Sequence, residues 1–187
     1  ELSTSDAWNT KADNEQITAV TKTNNYQDIR CIRRDWSCPA TNVAGAWKFD
    51  DGSGTTASDS SGNDNNGTLT NMDSATDWVT GKVGMALDFD GSNDYVDVPD
   101  DSSLNFTMQT DPFSISVWFK ADGTGTLVSK AVSTVEDRQY QLHIDDGTPT
   151  GILAFVVGGT INKVDTGDLR DSTWHHAVLT VPGATTG

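Results

Sequence analysis

The chain has 187 residues and carries 27 acidic against 12 basic side chains, a net charge of −15; its length suits one domain, or one domain plus a fragment of another. A field this negative repels phosphate backbones and anionic lipid surfaces, which excludes nucleic-acid partners and polybasic membrane docking. No stretch approaches the ~20 apolar residues of a membrane span, so no membrane insertion is expected, and six Trp, six Phe and three Tyr are too many rings for a disordered chain.

Glu occurs only at Glu1, Glu15 and Glu136, which leaves 24 Asp beside 17 Gly. That is the chemistry of turns and oxygen ligands rather than of helix surfaces. The sequence starts at Glu1 without Met, basic segment or apolar stretch. This predicts a processed chain or a piece of a longer one.

Residues 1–42 read as a short polar N-terminal extension or the tail of a preceding domain, with one alternating segment, Tyr26–Arg33, that predicts a strand. Cys31 and Cys38 are close enough in sequence to form a disulfide in an oxidising compartment, closing a loop for roughly 2 kcal/mol. No further Cys and no nearby His completes a metal site there. Ser37–Asn42 is a proline-containing joint.

From Val43 onward, strand follows strand. Ala44–Asp50 alternates with Trp47 and Phe49 on one face, and Met85–Phe89 and Tyr95–Val98 flank the turn Asp90–Asp94. Phe113–Lys120 is the clearest strand, with Phe113, Ile115, Val117 and Phe119 on one side and Trp118 on the other. Thr126–Lys130, Tyr140–Ile144, Ile152–Val157, Ile161–Val164 and Trp174–Val181 follow. Many short strands without a helix predict an all-β, two-sheet antiparallel sandwich.

Exposed aromatic surface beside amide groups is what sugar recognition requires. Trp118, with Gln139 and Gln141 on a later strand, is the candidate ligand-binding set. A core or loop-packing role for Trp118 fits the same pattern. His175 and His176 are neighbours on one strand and point to opposite faces, so they cannot form one catalytic dyad.

Four strings taken together resemble laminin-G-like domains of the concanavalin-A-like jelly-roll superfamily. They are Ala46–Gly54 with Asp59–Asn63 and Asn66–Leu69, then Leu87–Val98, Phe113–Phe119 and Trp174–Val178. The resemblance implies a jelly roll over residues 43–187 that lacks its last strands, through truncation or through strand addition from a neighbouring molecule. Tyr26–Arg33 also resembles the end of bacterial extracellular domains of the C-type-lectin or sulfatase-modifying-factor kind.

By the same resemblance Asp50, Asp51, Asp59 and Asn63, with carbonyls near Asn65 and Gly67, would hold a structural Ca²⁺. Plain turn formation accounts for these residues equally well. Glycosidases of the superfamily use paired carboxylates, and the lone Glu136 beyond Glu15 cannot supply a Glu pair. The resemblance therefore implies a non-catalytic extracellular or cell-surface module that binds glycan or protein. A structural subunit assembling through an open sheet edge is the alternative, and glycan cleavage ranks third.

Overall fold

The computed structural model describes residues 20–21, 25–28, 43–106, 111–131, 138–145, 147, 151–157, 160–164 and 166–182. For residues 20–21, 25–28, Ala131, Arg138, Gln139 and Val157 only the backbone is described. The strands are β1 (Val20–Thr21), β2 (Asn25–Asp28), β3 (Thr56–Ala57), β4 (Gly67–Thr70), β5 (Trp78–Thr80), β6 (Met85–Leu87) and β7 (Tyr95–Asp97), followed by β8 (Phe113–Ala121), β9 (Gly125–Ala131), β10 (Arg138–Ile144), β11 (Leu153–Val157), β12 (Thr160–Val164) and β13 (Trp174–Val181). Among the described residues one 3-10 turn, Ser102–Leu104, interrupts them and is capped by the Asp101 carboxylate. Among the described residues no helix is long and apolar enough to cross a membrane.

All pairing among the described strands is antiparallel. One sheet runs β13-β8-β2-β6-β5, a second β1-β7-β4-β3 and a third β12-β11-β10-β9. Strand β1 lies beside β9, so the second and third sheets meet along it. The arrangement is an all-β jelly-roll sandwich, as the strand pattern predicts.

Period-2 alternation builds the core. Along β8, Phe113, Ile115, Val117, Phe119 and Ala121 are buried; β10 contributes Tyr140, Leu142 and Ile144, and β13 contributes Ala177 and Leu179. Trp47, Phe49, Leu87 and Phe89 join the same cluster. Phe106 stacks on Phe113 with ring centroids 4.7 Å apart. The Tyr140 hydroxyl donates to the Leu104 carbonyl at 3.3 Å, and burial pushes its phenol upward. Each large apolar side chain buried in this way contributes about 1.5–3 kcal/mol.

Two sequence expectations need correction. Ala44–Asp50 is extended, but its ladder pairing is one bridge, Trp47 to Asp59, not a strand. The reason is local: the Asp59 side chain takes the Ala46 N–H, and Phe49 turns to a positive φ of 53°. The alternation still buries Trp47 and Phe49. The short strands β3, β4 and β5 lie outside the sequence expectation altogether. Of the predicted strand Tyr26–Arg33, residues 26–28 form most of β2 and the remainder lies outside the described residues.

Candidate binding face

The face of the five-stranded sheet turned away from the core gathers polar and aromatic side chains. Between β8 and β13, Lys120 pairs with Trp174, Trp118 with His176, Ser116 with Val178 and Ser114 with Thr180. Because β8 buries its odd-numbered positions, Ser114, Ser116, Trp118 and Lys120 all share the opposite side. Trp118 is half-buried and stacks on the His176 ring at 4.8 Å with the planes 20° apart. The Ser116 hydroxyl, fully buried beneath, meets His176 Nε2 at 2.8 Å.

A cation completes this group. Lys82 Nζ lies 5.7 Å from the centre of the Trp118 ring, within cation–π range. Lys82 stands in the turn between β5 and β6, closed by the Gly81 N–H donating to the Gly84 carbonyl at 3.0 Å. A Cβ at Gly81 would come within 2.5 Å of the Met85 carbonyl oxygen, so the turn that carries Lys82 requires glycine there. A shallow cleft of about 220 Å³ on the same sheet is lined by Val79, Thr80, Lys120 and Trp174. Indole surface beside hydroxyl, imidazole and ammonium groups can hold a sugar ring by its apolar face and hydrogen-bond its hydroxyls.

The other two residues of the predicted ligand set are elsewhere. Gln141 is on β10, in a different sheet, where its Nε2 donates to Thr126 Oγ1 at 2.8 Å. The backbone of Gln139 belongs to the same strand. Trp118 is therefore separated from both, while Lys82, Trp174 and His176 are brought to its sheet. Sequence reasoning passed over these because their grouping depends on register between β8 and β13 and on where a turn projects.

His175 and His176 do face opposite ways. His175 tilts against Phe119 at 5.6 Å and its Nε2 meets Asp171 Oδ1 at 2.9 Å. The His175 ring, with the Thr173 hydroxyl and N–H, holds the Asp171 carboxyl down at about 2. A depressed carboxyl contributes stability above its ordinary value near 4 and loses that contribution as pH falls towards 2. Thermal melts between pH 5 and pH 2 should show wild type losing an increment that Asp171→Asn lacks throughout. Parallel pH profiles for the two chains would refute this.

The acidic loop before β4 is ordered by its own chain. Asp59 accepts from Ala46 N at 2.8 Å, Ser61 N at 2.9 Å, Ser61 Oγ at 2.7 Å and Asn65 N at 3.0 Å. Asn63 donates to the carbonyls of Val43 and Ala44. Asn65 donates to Ala44 O and Ser103 Oγ, and its own carbonyl accepts the indole N–H of buried Trp47 at 2.7 Å.

Asp51 accepts from Ser58, and Asp50 accepts the Met85 N–H at 2.9 Å. Gly67 opens β4, where a Cβ would stand 2.4 Å from Val96 Cγ1. The residues singled out for calcium thus meet chain donors and acceptors. Among the described residues no group of three or more His, Cys, Asp or Glu is placed to hold a metal ion. Cys31 and Cys38 lie outside the described residues.

A family model described as the concanavalin A-like lectin/glucanases superfamily matches residues 90–187, which include β8 to β13 and with them Trp118, Trp174 and His176. No curated protein and no solved structure gives a significant match to the chain.

Proposed function

Because the chain belongs to the concanavalin A-like lectin/glucanases superfamily, matched over residues 90–187, we propose that it is a non-catalytic extracellular module that binds glycan on the outer face of its five-stranded sheet. Carbohydrate or protein binding is common in this superfamily. The observation that carries the glycan reading is the Trp118 indole, half-buried on that face, stacked on His176 and approached by Lys82. Stacking supplies affinity for the apolar side of a pyranose, and the surrounding polar groups supply orientation. The non-catalytic part of the reading rests on the sequence: beyond Glu15 only Glu136 could serve in a Glu pair.

The test is a glycan array followed by titration calorimetry with the sugars it selects. Trp118→Ala should weaken binding about tenfold or more, the equivalent of about 1.4 kcal/mol. Gln141→Ala, altered in the other sheet, should bind as wild type does. An array on which wild type binds nothing, or binding indifferent to Trp118→Ala with the fold intact by circular dichroism, would sink the reading.

A further inference from the structure

The Trp118 indole is approached on both of its faces. On one side of β8 lies β13, and on the other lie β2 and then β6. His176, the partner of Trp118 on β13, stacks its ring at 4.8 Å with the planes 20° apart. That separation equals the spacing of neighbouring strands, about 4.7–4.9 Å. The two rings therefore stand side by side, and the second indole face is turned towards β2 and β6. From that side comes Lys82, in the turn between β5 and β6, with its Nζ 5.7 Å from the ring centre.

The backbone of this turn is held at both ends. The Gly81 N–H donates to the Gly84 carbonyl at 3.0 Å, and the Met85 N–H donates to Asp50 Oδ1 at 2.9 Å. Gly84 lies so close to Asp50 that a Cβ there would stand 2.1 Å from the same oxygen. Lys82 itself is exposed, and a lysine stem of four carbons is flexible. What can swing aside is the side chain, not the turn.

A sugar ring and the ammonium cannot share this face. Atoms in contact are about 3.5–4.0 Å apart, so a pyranose lying on the indole beneath a lysine needs about 7–8 Å between ring and nitrogen. The ammonium stands at 5.7 Å. We infer that Lys82 is a displaceable cover of the glycan site. Its ammonium holds the indole face in the free chain, and a sugar takes that face by pushing it away. This rests on the glycan reading and adds to it the face of Trp118 that the sugar uses and the residue that competes for it. A cation over an exposed ring is worth about 0.5–1 kcal/mol, so covered molecules outnumber open ones about two- to fivefold. Apparent affinity falls with the open fraction, and removing the cover should tighten binding about three- to sixfold.

The test uses the full chain with ¹³C-labelled lysine. Protons above an indole face are moved upfield by its ring current. The Lys82 ε-methylene signal, identified by its absence from Lys82→Ala, should lie upfield of the other lysines and rejoin them in Trp118→Ala. A Lys82 signal at the ordinary lysine position in wild type would overturn the cover whether or not any sugar binds.

The glycan array is then run on wild type, Lys82→Ala and Lys82→Arg, and the selected sugars are titrated by calorimetry. Lys82→Ala should bind about three- to sixfold more tightly than wild type. Lys82→Arg keeps a cation that stacks on the ring and should gain nothing. Saturating sugar should return the wild-type Lys82 signal to the ordinary position. Equal affinity in wild type and Lys82→Ala, with Trp118→Ala still weakened, would leave the glycan reading standing and overturn the cover. Weaker binding by Lys82→Ala would assign the ammonium to the sugar's hydroxyls and overturn it as well. Sugars held by Lys82→Ala alone would show the cover at its strongest. No sugar held by any of these chains would sink the glycan reading and the competition together.

Discussion

Asp59→Ala is expected to lower stability by about 3 kcal/mol, because hydrogen bonds to a charged acceptor contribute about 1.5–3 kcal/mol each and the donors left behind are partly screened from water. For a chain of this size that is a drop of roughly 6–12 °C in Tm. The size of the effect follows from position. One carboxylate takes two backbone N–H groups of its own loop, Ser61 and Asn65, and one from across the sandwich entrance, Ala46. Asn65 in turn takes the Trp47 indole N–H, so loss of Asp59 also loosens a side chain that is 1% exposed.

Asp59→Asn keeps one acceptor oxygen and should lose about half as much. Differential scanning calorimetry on the three chains checks the ranking, and a melting point unchanged in Asp59→Ala refutes the assignment. The same scans with calcium and with chelator are expected to coincide, since the Asp59 oxygens are already occupied by chain donors. Saturation at 100 times a dissociation constant would add about 2.7 kcal/mol and separate the traces.

Gly45→Ala should cost about 3 kcal/mol, at the upper end of the penalty for overpacking a filled core. The Cβ would stand 2.3 Å from Trp47 Cη2 and 2.7 Å from Cζ3. A flexible neighbour could move aside, but this indole is buried and anchored through its N–H to Asn65. Making room means breaking that bond or shifting the Val43–Ala46 backbone that Asn63 and Asn65 hold. Gly123→Ala is the matched control, with nothing within 4 Å of the added carbon. Chemical denaturation should place Gly45→Ala well below wild type and Gly123→Ala beside it; coincident midpoints for all three would show that Trp47 yields freely.

The two effects converge on one loop, and that convergence shows where sequence reading stops. Alternation exposed β8, β10 and β13 because each is long enough for its period to stand out and each buries one face. It misread Ala44–Asp50, where the same alternation buries Trp47 and Phe49 but the backbone partners are the side chains of Asp59, Asn63 and Asn65. Side-chain bonding of that kind leaves no periodic trace. Strands β3, β4 and β5 were missed because two to four residues rich in Thr and Gly carry too little pattern.

Among the candidate site residues, Trp118 was legible as the one aromatic residue opposite a run of core positions. Its companions were not. Gln139 and Gln141 have suitable chemistry but alternate on a strand of another sheet, whereas His176 reaches Trp118 through cross-strand register. Register is a relation between distant segments, and a single sequence does not display it.

Strands β1 and β2 give the chain an order of construction. Residues 25–28 leave the ribosome long before residues 118–121, their partners in β8. Translation at about 5–20 residues per second puts the roughly 90 intervening residues 5–18 s behind them. For that interval only β6 and β7, made in between, are there for β2 and β1 to pair with, and contacts of such sequence separation form slowly even once both sides exist. The five-stranded sheet is therefore joined through a strand that can meet β6 on one side well before β8 exists to meet it on the other.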